Sequence, residues 1–541
     1  MKNIFIALKS LFNRKKTSSE DIFGTPKQDF MHNDNVEYYF RKRKPDNSFQ
    51  VVSDRTCADL DVDELFAYID RTKTRIGQQF LYDRIRTIPE KSYYDENREK
   101  IIDKFLSDSD FREKIESLLS KLDNNDNYYV SRLLYGDPVK LPGWYSFVKF
   151  IPIILLLTFI SVFFCSKMMY LFLFIIVINM FIHFQNKNYV QQYIVSIPQL
   201  LKLNFIVRNL KNFGYFDVVN PEISKSISEI DKLKKRMWFF SLEKPLDSEI
   251  MSLAYGIMEI FKIVTLAEPI LFKGILKQLE LKKESIEGLF CYLGEIDSLY
   301  SIASLRKGQT IWCRPEIRTN DKGFEACGLF HPLINDCVPN DISIENKSII
   351  ITGSNMSGKT SFMRSIGVNM LTGLTLNTCF ATSFTFPFSK LFSVIRINDS
   401  LLNKKSYYLE ETIAIKEIIQ ESDSENYNIF ILDEIFKGTN TIERIAAAKA
   451  VLSYIAKSNN LVFVTTHDSK LVQLLEDEYD FYYFCESVSD DEIQFDYKLH
   501  KGINSSGNAI KILKMNQYPE SVVKEAFEVA EKLIHEDDVL K

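Results

Sequence analysis

The chain has 541 residues, 46% hydrophobic and 26% charged, which is enough for about three or four domains of ordinary size. Nineteen glycines and fifteen prolines exclude a collagenous or low-complexity chain, and a net charge of −5 excludes coating of nucleic acid by bulk charge, so any DNA contact is local. The eight cysteines (Cys57, Cys165, Cys291, Cys313, Cys327, Cys337, Cys379 and Cys485) form no CxxC pair. This argues against a zinc site or a disulfide scaffold and suits a reducing compartment.

Residues 1–16 read MKNIFIALKSLFNRKK. The apolar stretch is too short for a secretion signal, and no small-residue cleavage site follows. Ile4, Phe5, Leu8, Leu11 and Phe12 recur at helical spacing ahead of Arg14, Lys15 and Lys16. That pattern fits either a short amphipathic helix on an anionic membrane surface or a frayed terminal helix. Helical periodicity then runs through 61–88 and 97–122. From Phe150 to Ser166 there are 17 residues without a charge, and Met168 to Gln185 adds 18 without a Lys, Arg, Asp or Glu. At 1.5 Å per residue each run spans about 26 Å. Trp144 and Tyr145 precede the first run as interfacial rings, and Lys149 can snorkel. The reading is a transmembrane helical hairpin over 144–187. Lys140, Lys149 and Lys187 on its flanks put those flanks in the cytoplasm, which implies a multi-pass protein of the inner or cytoplasmic membrane. The alternative, a buried core hairpin, is disfavoured because water-soluble helices rarely stay apolar on every face.

Helical spacing resumes over 190–212 and 221–305, and near 340 short β-branched runs begin to alternate with helical patterns, as in a parallel sheet. The fold class is therefore α plus α/β. The expected organisation is an N-terminal segment over 1–60, a helical core over 61–143, the hairpin, and a helical lever and core return over 188–310. A P-loop domain over 311–516 and a C-terminal helix over 517–541 follow.

Ser348–Thr352 reads as a buried strand running into Gly353-Ser354-Asn355-Met356-Ser357-Gly358-Lys359-Thr360, a complete GxxxxGK[ST], with a helix from Ser361 to Leu376. Such a loop wraps a β-phosphate with backbone N–H groups at a helix N-terminus. Lys359 would bridge the β- and γ-phosphates of ATP, and the Thr360 hydroxyl would bind Mg²⁺. Asn428–Leu432 is an apolar strand ending in Asp433-Glu434. Asp433 would hold the Mg²⁺, and Glu434 would polarise the attacking water. A further strand, Leu461–Thr466, delivers His467 to the same sheet edge, where it could sense the γ-phosphate.

At this point the residues become specific. Residues 351–367, ITGSNMSGKTSFMRSIG, resemble the nucleotide loop of the MutS mismatch-repair family, TGPNM[GS]GKST. Four further blocks agree in order. Phe330–Ile334 with Val338–Asp341 resembles the segment before the ATPase strand. Arg396-Ile397 with Asp399, then Ser406–Glu411, resembles the stretch ending in STFMxEM. Residues 433–441 resemble DEIGRGTST, and Thr465–Asp468 resembles the TTH motif. Outside the ATPase, Asp70, Thr72, Thr74 and Gly77 resemble the family's DxTxTxxGxRLL core opening, and Leu293–Ala303, with Glu295 and Asp297, resembles the core's return.

The resemblance implies an ABC-type ATPase that works as a dimer, each subunit completing the other's nucleotide site. It places Ser406 on the γ-phosphate bound to the partner subunit, and the adenine near Val338. The sequence also departs from the family. Ser354 replaces the loop proline, Phe436 and Lys437 replace Gly-Arg, and Tyr407-Tyr408 replaces Thr-Phe. Only about 60 residues precede the core signature, where mismatch-reading members carry two more domains with a wedging Phe-x-Glu. Phe111-Arg112-Glu113 spells that tripeptide, but it follows the core opening in a helical stretch and reads as coincidence.

The resulting expectation is a membrane-anchored MutS-like ATPase that binds DNA, with mismatch-repair-related or branched-DNA sensing. Lys232–Arg236 and Arg41–Lys44 are its candidate basic contacts, each also readable as a solvated face. The alternative keeps the ATP-driven homodimer and discards DNA, as a membrane switch or scaffold that signals to protein partners. An ABC transporter is excluded because one hairpin cannot line a pore.

Overall fold

A computed structural model describes residues 23–27, 34–43, 48–90, 96–137, 140–241, 249–319, 322–345, 347–354, 356–396, 407–457, 459–488, 493–503 and 518–539. Residues 1–16, Lys44, Asn355, Ile397, Asp399 and Ser406, and the side chains of Lys235, Arg236 and Tyr407, lie outside that set. The chain divides into two compact units, one of 1–46, 69–84 and 94–308, the other of 47–68, 85–93 and 309–541.

The first unit is helical. Its centre accounts for the Asp-x-Thr-x-Thr-x-x-Gly spacing. Buried Asp70 accepts hydrogen bonds from the Thr72 backbone at 3.0 Å, the Thr72 hydroxyl at 2.6 Å and the Gln78 amide at 2.7 Å. Buried Asp297, from the helix Lys283–Gly308, accepts the backbone N–H groups of Lys73 and Thr74 at 2.8 Å each and the Thr74 hydroxyl at 2.7 Å. It thereby satisfies donors at the entry to the helix Arg75–Arg86. Gly77 is required by close approach, since a Cβ there would sit 2.1 Å from Asp297 Oδ2. Glu295 pairs with Arg84 at 2.6 Å and Arg98 at 3.0 Å. Burial pushes the Asp297 carboxyl up to about 6, against the opposing pull of the Lys73 and Thr74 donors. Asp297→Ala would strand three donors and is expected to destabilise the helical unit by about 3–5 kcal/mol. Denaturant unfolding measures this, with Asp297→Asn intermediate.

Phe111 is packed inside this unit against Phe105 and Phe216, with ring centroids 5.5 and 5.9 Å away, so it is a core residue and not an exposed wedge. Three cations of the two candidate basic runs make intrachain pairs. Arg41 meets Glu37 at 2.8 Å, Arg43 pairs with Asp83, and Lys232 meets Glu229 at 2.7 Å.

The apolar hairpin departs from expectation. The first run yields a helix of only 12 residues, Ile151–Val162, about 18 Å long, because Val148–Phe150 forms a 3-10 turn and 163–167 is spent on the connection. The second begins a 44-residue helix, Met168–Lys211. Among the described residues, only Met168–Lys187 is long and apolar enough to cross a membrane, so the two-span hairpin is not supported. Only 17% of that stretch is buried, and Phe163, Phe164 and Tyr170 are each more than three-quarters exposed. The helix Glu249–Thr265 packs along it through polar groups. His183 and Lys187 each approach Glu259 at 3.0 Å, while Asn186 donates at 2.6 Å to Glu268 of the next helix, Ala267–Leu281.

Among the described residues, the second unit carries all the strands. β1 (Ser48–Val51) and β2 (Thr87–Pro89) form an antiparallel pair. β3 (Glu316–Arg318), β4 (Phe324–Leu329), β5 (Asn340–Ile344) and β7 (Ser383–Pro387) form a four-stranded sheet in the order β3-β7-β4-β5. The central sheet runs β14-β11-β6-β10-β9-β8. It comprises β6 (Ser348–Thr352), β8 (Ser389–Val394), β9 (Tyr427–Asp433), β10 (Asn460–Thr465), β11 (Tyr479–Tyr483) and β14 (His500–Lys501). All its pairings are parallel except that of edge strand β14, and β12 (Glu486–Val488) pairs with β13 (Ile493–Phe495) beside it. β6 and β10 are buried nearly throughout, as expected for strands covered on both faces. Ile350, Phe430, Leu432, Val462 and Val464 form the core of one face with Leu452 and Ile455.

Residues 48–61 belong to this unit. The Gln50 amide brackets Leu391 of β8, donating to its carbonyl at 2.7 Å and accepting its N–H at 2.8 Å. Buried Asp59 accepts the Ser393 hydroxyl at 2.7 Å and the backbone N–H groups of Ile395 and Arg396 at 3.0 and 2.8 Å. This segment therefore fastens the end of β8.

Candidate functional site

The site lies at the carboxyl ends of three neighbouring strands, β6, β10 and β9, where open parallel sheets bind ligands. β6 leads into Gly353 (φ 141°), and the helix Lys359–Leu376 starts directly after Gly358 (φ 106°). Both glycines hold left-handed conformations that a side chain would strain. Within the loop, the Ser357 hydroxyl donates to the Ser354 carbonyl at 2.8 Å. Ser354, standing where the family pattern has proline, donates its hydroxyl to Glu486 at 2.7 Å.

The Lys359 ammonium spans the loop, donating to the carbonyls of Gly353 at 2.8 Å and Ser354 at 2.7 Å. Burial depresses its pKa, with Glu434 and Asp433 pulling it back up. The Thr360 hydroxyl donates to Asp433 Oδ2 at 2.9 Å. Register explains the other side of that carboxylate: Thr465 of β10 stands opposite Asp433 of β9, and its hydroxyl donates to Asp433 Oδ1. Glu434 follows in a left-handed conformation (φ 47°), its N–H donated to the Thr465 carbonyl at 3.2 Å. Its carboxylate lies 2.6 Å from His467 Nε2 and 2.8 Å from Lys437 Nζ. Burial pushes Glu434 up, but those two partners outweigh it and hold the carboxyl down at about 2. His467 Nε2 is also 3.4 Å from Lys359 Nζ.

A cavity of about 510 Å³ opens over these groups. Its lining takes in Ser354, Met356, Gly358, Lys359, Thr360 and Ser361, then Asp433 and Glu434, and also Val338. The predicted residues Gly353, Ser357 and His467 stand beside it through the contacts above, while Asn355 and Ser406 fall outside the described residues. Sequence reasoning missed Phe484, Tyr497 and Asn340, which also line the cavity, and Thr465, which clamps Asp433. It noted Lys437 only as a departure. It missed Glu411 as well, which is buried and accepts the Phe436 N–H, fixing the turn after Glu434. No local motif marks Phe484 or Tyr497, because they arrive from β-strand junctions far along the chain. The signal for Thr465 was present in the Thr-Thr-His run.

The donor set at Asp433 and Thr360 is all oxygen, which suits a hard divalent cation such as Mg²⁺. Lysine at a glycine-rich turn, a helix N-terminus and a strand-end aspartate facing the first-turn threonine together define a P-loop fold on a parallel sheet.

Residues 349–534 match the family profile of MutS domain V. The chain is 27% identical over 338 residues to the DNA mismatch repair protein MutS of Aquifex pyrophilus, covering 60% of this chain and 38% of the relative. It is 25% identical over 338 residues to the MutS of Clostridium kluyveri, again covering 60% and 38%. It is also 27% identical over 289 residues to the DNA mismatch repair protein MSH3 of Candida albicans, covering 48% and 27%. The chain spans less than half the length of these curated relatives.

Proposed function

We propose that the chain is a MutS-like ATPase that binds ATP with Mg²⁺, hydrolyses it in a homodimer, and couples that cycle to DNA. The observation that carries the reading is the clamp of Thr360 and Asp433 at 2.9 Å beneath a cavity entered by Lys359 and Glu434. In this reading Lys359 and the loop N–H groups take the β- and γ-phosphates. Thr360 and Asp433 would hold Mg²⁺, which supplies neutralisation of phosphate charge when bound. Glu434 orients the attacking water, and His467 and Lys437 hold that carboxylate ionised. Ser406 from the partner subunit would complete the site, and Val338 would border the adenine.

DNA as the coupled ligand rests on the relatives' printed roles in mismatch repair. A second reading, an ATP-driven membrane switch without DNA, is favoured by two observations. The candidate cations Arg41, Arg43 and Lys232 already pair with acids, and the apolar helix Met168–Lys187 stands largely exposed. In both readings that exposed face inserts in the cytoplasmic membrane, with the P-loop unit in the cytoplasm.

Steady-state ATPase of the full chain in nanodiscs separates them, comparing no DNA, perfect duplex, mismatched duplex and a four-way junction at low and physiological salt. The expected result is stimulation by one DNA class, weakened by salt. Turnover indifferent to every DNA, with Lys359→Ala as the zero, supports the switch.

A further inference from the structure

The cysteines give no zinc pattern in the sequence, yet the fold gathers a ligand set across β12, β13 and β14. The ligating atoms of Cys485, Asp496 and His500 all lie within 4.8 Å of one another. Asp496 Oδ2 is 3.8 Å from Cys485 Sγ and 2.8 Å from His500 Nε2. A tetrahedral zinc ion, with bonds of about 2.0–2.3 Å, needs its ligand atoms roughly 3.3–3.6 Å apart, which small side-chain rotations deliver here.

The groups are also held for the task. Asp496 Oδ1 accepts the Lys498 backbone N–H at 2.9 Å, which turns Oδ2 toward the other two ligands. The His500 ring stacks on Tyr483 with centroids 5.2 Å apart, and the same two residues are register partners of β11 and β14. Such supports orient metal ligands in built sites. One thiolate, one imidazole and one carboxylate make a set that suits zinc, with a fourth position left to water.

The location gives the site a consequence. Cys485 follows Phe484, and Asp496 precedes Tyr497, and both of these aromatic residues line the cavity. Both rings border the phosphate loop. A Cβ on Gly353 would lie 3.3 Å from the Phe484 Cβ, and one on Gly358 would lie 3.3 Å from Tyr497 Cδ1. The Tyr497 carbonyl is further held by the Asn340 amide at 3.0 Å. An ion joining Cys485 to Asp496 and His500 would staple the two chain segments that carry these walls.

We propose that Cys485, Asp496 and His500 form a three-ligand site for a borderline-soft divalent cation, zinc being the expected ion, and that metal there tightens nucleotide binding by fixing Phe484 and Tyr497. The coupling half of this proposal rests on reading the adjacent cavity as a nucleotide site; the metal half does not. Pre-organised walls spare the ordering otherwise needed on binding, so the effect is one of affinity. Linkage requires that ATP tighten metal binding by the same factor.

The test uses the full chain stripped with a chelator. Cobalt(II), a spectroscopic substitute for zinc, should bind at one site per chain with a thiolate-to-metal charge-transfer band. That band should vanish in Cys485→Ser, and zinc affinity should fall at least about tenfold in His500→Ala and Asp496→Asn. Thermal melting of each variant without metal confirms folding, and Asp496→Asn, the mildest change, carries the result if another variant unfolds. Titration with a fluorescent ATP analogue should then show binding about fivefold or more tighter with zinc than without it, in the wild type alone. Absence of the thiolate band, or zinc affinity unchanged from the wild type in all three variants, overturns the site. A bound metal with unchanged ATP affinity overturns the coupling. Failure of the nucleotide reading shows separately, as no analogue binding under any condition while the cobalt spectrum persists.

Discussion

Lys359→Ala is expected to weaken ATP binding by at least about a hundredfold, equivalent to roughly 3 kcal/mol, because it removes the one cation seated within the turn of the loop. In the structure the ammonium donates to two loop carbonyls, those of Gly353 and Ser354, so the wild-type loop is already shaped around a positive charge. Alanine also leaves both carbonyls without that donor. A modest loss of stability accompanies the binding defect and is read separately by thermal melting without nucleotide. The pH dependence adds a second, sharper test. Burial lowers the Lys359 pKa, and a bound triphosphate would raise it again, so binding takes up a proton wherever the free lysine is partly neutral. Affinity should therefore fall as pH rises toward the ordinary lysine range, and in Lys359→Ala that alkaline loss should disappear. Calorimetry in two buffers of different ionisation enthalpy measures the proton uptake directly. Retained tight ATP binding in the variant would remove the phosphate-loop assignment.

What the sequence disclosed follows from how local each feature is. β6, the loop and the following helix are contiguous, so Ser348–Thr352 and the loop were legible as written, and the helix begins only two residues before the expected Ser361. Asp433, Glu434 and His467 were legible because each ends a short apolar strand. β2 was absorbed into a helical reading of 61–88, since Ile85 and Ile88 continue a three-residue step. What makes Thr87–Pro89 a strand is its partner Ser48–Val51, which no local period reveals. The same holds for β3 and β4, which pair with β7 and lie ahead of the expected change of texture near 340. In the apolar region composition was legible but length was not, because residues 163–167 make the turn instead of extending the first helix. Asp70, Thr72, Thr74 and Gly77 were recognised as a pattern, and only the fold supplied its physical reason, the Asp297 carboxylate arriving from more than two hundred residues away.

Glu434→Gln is expected to bind ATP with little change in affinity while slowing hydrolysis on the order of 10²–10³-fold, so that unhydrolysed ATP accumulates on the protein. The substitution keeps the size and one hydrogen-bond acceptor but removes the charge. Single-turnover measurements distinguish this from a binding defect, because chemistry slows while the analogue still binds. A carboxyl held at about 2 is a weak base by itself, which argues that Glu434 acts by orienting and polarising water rather than by holding a proton for long. Its partners set that state. Lys437, standing where the family pattern has arginine, and His467 both lie within 2.8 Å, so Lys437→Ala should let the carboxyl rise toward its ordinary value of 4.5. The sign of the stability effect is fixed by the same shift. A depressed carboxyl contributes stability above its ordinary pKa and loses it as pH falls through the window from 4.5 toward 2. Glu434→Gln should therefore be less stable than wild type at neutral pH, and the gap should narrow progressively as pH falls from 4.5 toward 2, which melting curves at pH 7, 4 and 3 would record. Unchanged turnover would take the water-orienting role from Glu434. A stability difference that does not narrow at all between pH 7 and pH 3 would show that His467 and Lys437 do not hold its charge.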